Sequence, residues 1–364
     1  MDGFSQYKPK IAMDISTLGK GGGPYTSTKR IMDSVLSDDF SFHEIVYDPA
    51  IGRGISLKRI LDIKRQIIAI QPDIVHFTGL QLSGFHMAVA CWLAGVRRTV
   101  VTIRGSSADA IEFSPLKRFM LRMLLEPFTL LLSKKIIGVS DFVTNTKVPR
   151  FFAKKIYGTV YNFPPLKDAN NHKNKVTRKS LGLSENDIVV ITVGRVNREK
   201  GLHILESAIE KIGIADRLKF LIVGEGQYLV QMKSNLAALE RANQVKFLGY
   251  RDDIRDLNNI SDIFVLPTLH ETLSNALLEA SCSSLPLIAS ETGGVPEIVE
   301  SGFNGILVEP GNPLQLANAI ETLRDDPLRR AEYGRNAYEK IDKKFSSEEI
   351  VSRLRALYFE LLGS

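Results

Sequence analysis

The chain has 364 residues, longer than a single hydrophobic core usually grows, so two domains are expected, and its 44% hydrophobic and 24% charged content are ordinary for a globular protein. Two distant cysteines, Cys91 and Cys282, both in apolar helical patterns, exclude a disulfide framework and suit a reducing compartment. The net charge of +6 is uneven, with 25 Lys+Arg against 14 Asp+Glu in residues 1–175 and an acidic excess after them; no zinc-finger spacing, RNA-binding aromatic signature or helix-turn-helix pattern accompanies it, so nucleic acid is not the expected partner.

At the N-terminus, MDGFSQYKPK lacks the apolar core of a signal peptide. Strands are then expected at Lys10–Ile15, His43–Tyr47, Ile74–Phe77, Thr99–Ile103, Lys135–Val139 and Gly158–Tyr161. Helical patterns near 24–37, 56–70, 83–94, 115–132 and 141–148 separate them. The most apolar of these stretches, Phe119–Ile137, is interrupted by Arg122, Glu126, Lys134 and Lys135 and falls short of the ~20 apolar residues of a spanning helix. A cytoplasmic chain is expected, one able to touch a membrane. The polar, proline-containing stretch 164–175 reads as a linker between a domain 1–163 and a domain 176–345. Beyond it, strands are expected at Ile188–Val193, Lys219–Val223, Val245–Phe247, Ile263–Leu266, Pro286–Ala289 and Gly305–Val308. Helices near 202–212, 227–241, 275–283, 313–324, 327–343 and 346–362 complete the pattern. Near-continuous Val/Ile runs alternating with helices predict an α/β protein of two doubly wound parallel sheets. Ligands of such folds bind outside the carboxyl ends of the strands, so the loops there are the ones to search.

The densest of those loops lies in DIFVLPTLHETLSNALLEASCSSLPLIASETGGVPE, which starts at Asp262. The run ending at Leu266 and Pro267 leads into a polar loop, and an apolar helical pattern begins near Ser274. Glu271 falls in the loop and Glu279 about one turn into the helix. The backbone amides of Thr272, Leu273, Ser274 and Asn275 lack intrahelical partners and favour an anion. Amide donors for phosphate beside carboxylates for sugar hydroxyls suit a nucleotide sugar. Upstream, Arg195 and Lys200 in GRVNREKG sit between a strand and a helix, where a fork and a point charge can clamp a diphosphate.

On these residues, together with Gly224-Glu225-Gly226, the chain resembles the retaining GT-B glycosyltransferases of the family 4-like group, whose hallmark is a glutamate, seven residues and a second glutamate. The resemblance covers nearly the whole chain and is sharpest from Ile191 to Pro310. It implies two Rossmann-like domains facing a central cleft, with the final helix, 346–364, crossing back to the first domain. It implies a UDP- or GDP-sugar donor in the second domain and a glycan or lipid-linked acceptor in the first, in surface polysaccharide biosynthesis. Glu271, Arg195 and Lys200 would then be catalytic. Glu279 would hold the ribose, and the Gly-rich loop with Gly22 and Gly23 would approach the donor phosphate or the acceptor. His76 would line the cleft from a neighbouring loop.

Two departures stand out. Arg104 occupies a position where many members carry histidine; it cannot serve as a base and could bind a phosphate or carboxylate. Phe163 replaces a glycine after Asn162, which reads as a hinge. No Asp-x-Asp triplet occurs, so no metal is expected to hold the donor. The basic helical patterns at 57–65 and 115–125 suggest docking on an anionic membrane surface. A nucleotide-sugar epimerase and a non-catalytic nucleotide-sugar-binding homologue are the alternative readings.

Overall fold

The computed structural model describes residues 7–15, 22–47, 54–105, 114–165 and 176–363. The chain divides into two compact units, one of Met1–Phe163 with Ser347–Ser364 and one of Pro164–Ser346. Residues Gly19–Gly21 of the Gly-rich loop and 166–175 of the linker stretch lie outside the described residues.

In the first unit the strands are β1 (Lys10–Asp14), β2 (Ser41–Ile45), β3 (Ile74–Thr78), β4 (Thr99–Ile103), β5 (Lys135–Gly138) and β6 (Ile156–Thr159). They form one parallel sheet in the order β2-β1-β3-β4-β5-β6. The central strands β3 and β4 are buried along their whole length, as β-branched runs covered on both faces must be. The helices are α1 (Gly23–Met32), α2 (Leu57–Ile70), α3 (Leu82–Leu93), α4 (Pro115–Met120), α5 (Glu126–Leu132) and α6 (Asp141–Thr146). Ser56, Ser114 and Ser140 cap α2, α4 and α6 by accepting a backbone amide from the first turn.

The single helix expected over 115–132 is interrupted: α4 and α5 are joined by a π turn at Leu121–Leu125. The cause is local. Pro127 has no amide to donate and its ring crowds the carbonyl four residues back, which a widened turn relieves. The pattern over 24–37 likewise ends early, at Met32, where Ser34 accepts the Leu36 amide and starts a 3-10 turn at Val35–Asp38.

The second unit holds β7 (Ile188–Val193), β8 (Leu218–Val223), β9 (Val245–Gly249), β10 (Ile263–Leu266), β11 (Leu287–Ser290) and β12 (Gly305–Val308), parallel in the order β12-β11-β10-β7-β8-β9. Its helices are α7 (Leu202–Ile212), α8 (Leu229–Asn235), α9 (Ala237–Arg241), α10 (Ile254–Asn259), α11 (Asn275–Cys282), α12 (Val295–Ile298), α13 (Pro313–Asp325) and α14 (Pro327–Lys344). Short α10 was not expected, since six residues carry too little periodicity to register, whereas α12 starts where Gly293-Gly294 before Pro296 marks a turn and a first-turn proline.

The last helix, α15 (Ser347–Leu362), belongs to the first unit. Its Ile350, Val351, Leu354, Leu357, Tyr358 and Leu361 are buried with Ile11, Met13, Phe40 and Val100 in one core. The spacing of those positions is that of one helical face.

Both strand orders reverse direction once. In the first sheet the chain turns back between β1 and β3, and in the second between β7 and β10. These are the topological switch points at which doubly wound sheets open a crevice at their carboxyl edge.

Candidate active site

At the switch point of the second sheet, the loops after β7 and β10 are held together by backbone. The Leu269 amide donates to the Glu199 carbonyl at 2.9 Å. Gly201 adopts φ +70°, and a Cβ there would stand 1.7 Å from the Pro267 carbonyl oxygen. Only glycine permits this approach. On the other side, a Cβ on Gly224 would stand 1.8 Å from the Gly194 carbonyl oxygen, so the loop after β8 lies directly on the loop after β7. The Val196 amide donates to the Glu225 carbonyl at 2.8 Å and seals that contact.

This frame presents Lys200. Its amide donates to Asn197 Oδ1, and its Nζ reaches Glu271 Oε2 at 2.8 Å. The side chains are 20% and 12% exposed, so the pair is largely withdrawn from water. The other Glu271 oxygen accepts the Thr272 amide at 3.0 Å, and the Glu271 carbonyl accepts the Gly294 amide at 3.2 Å. Three loops, after β7, β10 and β11, thus converge on one glutamate.

Immediately beyond, α11 begins. Ser274 is buried and caps it, its Oγ accepting the Leu277 amide at 3.2 Å. Buried Leu273 anchors the turn in the core, while Thr272, Asn275 and Glu279 are half-buried. The helix itself supplies no carbonyl to the amides of its first turn, and its dipole leaves that end partly positive. Arg195 lies apart from the Lys200–Glu271 pair: its side chain is 68% exposed, 3.6 Å from Glu199 Oε2. A clamp of Arg195 with Lys200 is therefore not preassembled.

At the switch point of the first sheet, the Thr78 amide donates to Asp14 Oδ1 at 2.8 Å, bridging the ends of β3 and β1. Asp14 Oδ2 has no partner among the described residues, and burial pushes the carboxyl up to about 7. Arg104, next along at the end of β4, is half-buried. Its Nη1 donates to Asn162 Oδ1 at 2.7 Å, while its Nε has no partner among the described residues. Burial lowers the guanidinium to about 10, against the pull of Asp14, so it keeps its charge. Arg104 and Asn162 line one small pocket with Ser27, Thr102 and Tyr161. Gly22 and Gly23 open α1, whose Thr26 amide returns to the Gly22 carbonyl.

His76 corrects the expectation placed on it. It lies within β3, is 2% exposed, and has both ring nitrogens engaged, Nδ1 with Tyr358 Oη at 2.7 Å and Nε2 with Thr102 Oγ1 at 2.6 Å. Burial lowers it to about 3, so it is neutral and internal, not a cleft-lining group. The inward face of a central strand claimed it.

Residues 173–340 match the family described as glycosyl transferases group 1, and residues 26–135 match that described as glycosyl transferase 4-like. The chain belongs to the group 1 glycosyltransferases. Among curated relatives, this glycosyltransferase is 27% identical over 370 residues to the Escherichia coli UDP-Gal:alpha-D-GlcNAc-diphosphoundecaprenol alpha-1,3-galactosyltransferase, spanning 97% of this chain and 91% of the relative. It is 28% identical to the Bacillus anthracis N-acetyl-alpha-D-glucosaminyl L-malate synthase, over 83% of this chain and 75% of that one. A crystal structure of Anabaena HepE in complex with UDP and glucose superposes with a TM-score of 0.76 at 21% identity, covering 96% of this chain and 99% of the other. At that identity the likeness establishes the GT-B fold.

For the glycosyltransferase, then, the structure brings together Lys200, Glu271, Thr272, Leu273, Ser274, Asn275 and Glu279 around one end of α11. In its first unit it places Arg104 beside two residues that sequence reasoning gave no binding role, Asp14 and Asn162. A signal for Asp14 existed: a charged residue closing the apolar run KIAMD, just before the Gly-rich loop.

Proposed function

We propose that the chain is a retaining hexosyltransferase that moves a sugar from a nucleoside-diphosphate donor, a UDP- or GDP-sugar, to a glycan or lipid-linked acceptor in surface polysaccharide synthesis. The observation that carries this reading is the Lys200–Glu271 pair at the switch point, beside the N-terminus of α11. The diphosphate would lie against the first amides of α11 with Lys200 as its counter-charge. Donors fixed before the reaction stabilise charge growing on a leaving group without reorganisation. Glu271 orients Lys200 and would offer its remaining lone pairs to hydroxyls of the transferred sugar, and Glu279 would accept from the ribose. Exposed Arg195 would swing onto the diphosphate when the donor arrives. In the first unit, Arg104 would offer its charge to a phosphate or carboxylate on the acceptor or the donor sugar.

Support for a UDP-sugar comes from the names of the relatives: the Escherichia coli protein takes UDP-Gal, and the Anabaena structure holds UDP. The same Escherichia coli name supports a lipid-linked acceptor, which would bring the chain to the inner face of a membrane. Transfer would need no divalent ion, because Lys200 and the α11 amides supply the positive field.

A thermal-shift screen of nucleotides and nucleotide sugars tests the donor. A ligand at 100 times its Kd stabilises by about 2.7 kcal/mol. Transfer to an acceptor panel, with NMR of the anomeric proton and with excess EDTA, tests the rest. Inverted product, or activity lost in EDTA and restored only by Mg²⁺ or Mn²⁺, overturns the corresponding statement. A sugar altered by incubation with donor alone would instead make the chain an epimerase.

A further inference from the structure

The loop after β7 takes part in two ion pairs, and they differ in kind. Lys200 and Glu271 meet at 2.8 Å with side chains 20% and 12% exposed, a short contact largely withdrawn from water. Arg195 Nη2 and Glu199 Oε2 stand 3.6 Å apart with side chains 68% and 32% exposed. That distance is too long for a hydrogen bond, and the pair lies open to solvent.

The two partners of the looser pair are unequally free. The Glu199 carbonyl accepts the Leu269 amide at 2.9 Å, and Gly201, two residues on, is pressed against the Pro267 carbonyl. The backbone of Glu199 is therefore stapled to the loop after β10. Arg195 carries a long, exposed side chain, and turning it away gives up only a solvent-exposed ion pair, a contact worth little. Arg198, the remaining cation of this loop, is engaged elsewhere: its guanidinium carbon lies over the Tyr228 ring, 5.2 Å from the centroid. Glu199 is thus the carboxylate on which Arg195 rests.

In the free chain each of the two cations assigned to the diphosphate has one carboxylate beside it. A diphosphate disturbs the two pairs differently. Lys200 has three donors, so it can serve a phosphate oxygen while keeping Glu271. Arg195 must turn from Glu199 to present its planar fork to the same anion. Glu199 is then left without its cation on the loop that holds a diphosphate, a like-charge arrangement that opposes the bound state.

We propose that Glu199 is a positioning residue that parks Arg195 while no donor is bound and takes it back when the nucleoside diphosphate leaves. It acts through Arg195 and does not touch the sugar. The inference rests on the diphosphate reading above and adds a residue that weakens product binding so that the site empties.

The test is calorimetric titration of UDP and of GDP into the full chain as wild type, Glu199→Gln, Arg195→Met and the double variant. Glutamine keeps the carbonyl that binds the Leu269 amide, and thermal melting checks that each variant is folded. Glu199→Gln should bind the preferred diphosphate about threefold tighter, the size of one exposed ion pair released. Arg195→Met should bind it more weakly. In the Arg195→Met background, Glu199→Gln should change the affinity by less than about 1.5-fold, because the partner it acts through is gone. In transfer assays Glu199→Gln should lower the donor KM and strengthen inhibition by free diphosphate, whereas structural damage to the loop would raise KM. Unchanged or weaker binding by Glu199→Gln overturns the proposal. Equal tightening in both backgrounds also overturns it, since Glu199 would then act as a general charge and not through Arg195. A wild type that binds neither diphosphate removes the donor reading and the proposal with it; a wild type that binds, with no tightening in Glu199→Gln, removes the proposal alone.

Discussion

Replacing Lys200 by Met would separate the structural role of the Lys200–Glu271 pair from its chemical one. The glutamate side chain is 12% exposed, and its Oε2 has Lys200 Nζ at 2.8 Å as ionic partner. Removing one member of a fully buried pair costs about 3–5 kcal/mol, because the other charge is stranded. Here the Thr272 amide still serves Oε1, and residual exposure admits water, so about 2–3 kcal/mol is expected. For a unit of this size that lowers Tm by about 5–10 °C. Adding Glu271→Gln removes the stranded charge and should recover most of the loss. Catalysis should behave differently: each single variant loses about 10²-fold in nucleotide release, and the double variant recovers none of it. Denaturant melts paired with a UDP- or GDP-release assay read both quantities. A Lys200→Met protein as stable as wild type would show that the pair is not desolvated. A double variant releasing nucleotide within a few-fold of wild type would end the assignment of this site.

Other outcomes rest on single contacts. Gly201→Ala forces a Cβ against the Pro267 carbonyl at φ +70°, so circular dichroism should show destabilisation of more than about 2 kcal/mol, with transfer lost as Lys200 moves; a near-neutral melt would contradict the close approach. Tyr358→Phe leaves His76 Nδ1 buried without its partner and should cost about 1–3 kcal/mol in urea unfolding, whereas Tyr157→Phe, whose exposed hydroxyl donates to the Arg353 carbonyl at 3.3 Å, should cost less. Asp14 titrates at about 7 in the folded chain and near 3.8 when unfolded, so the folded state binds more protons between those values. Stability should therefore fall as pH rises from about 4 to 7, by at most about 1.4 kcal/mol per unit from this group. Asp14→Asn should flatten that slope in urea titrations at pH 5, 6, 7 and 8, and an unchanged slope would remove Asp14 as its source.

Much of this was legible in the order of residues. The runs Ile188–Val193, Ile263–Leu266 and Gly305–Val308 are strands with the bounds their apolar content suggested, because a strand covered on both faces must be apolar throughout. The start of α11 was legible too, because Ser274 is a local cap that needs only its own next turn. Local chemistry failed where a competing local rule acted at longer reach, as when Pro127 widened the helix before it. His76 misled because its sequence neighbours say only that it ends an apolar run. Its partners, Tyr358 and Thr102, are 282 and 26 residues away.

The sequence by itself determined the parallel α/β class and the residue types of the site, since hydrophobic period and capping are read within a turn or two. Tertiary structure alone decided which residues meet. Strand order put β7 next to β10, and that adjacency brings Lys200 to Glu271 across 71 positions of chain. The same kind of adjacency set Asp14 beside Thr78, and packing against the first sheet gave α15 to the first unit. No local pattern encodes these pairings, because they depend on how much apolar surface each alternative arrangement buries, a property of the whole chain.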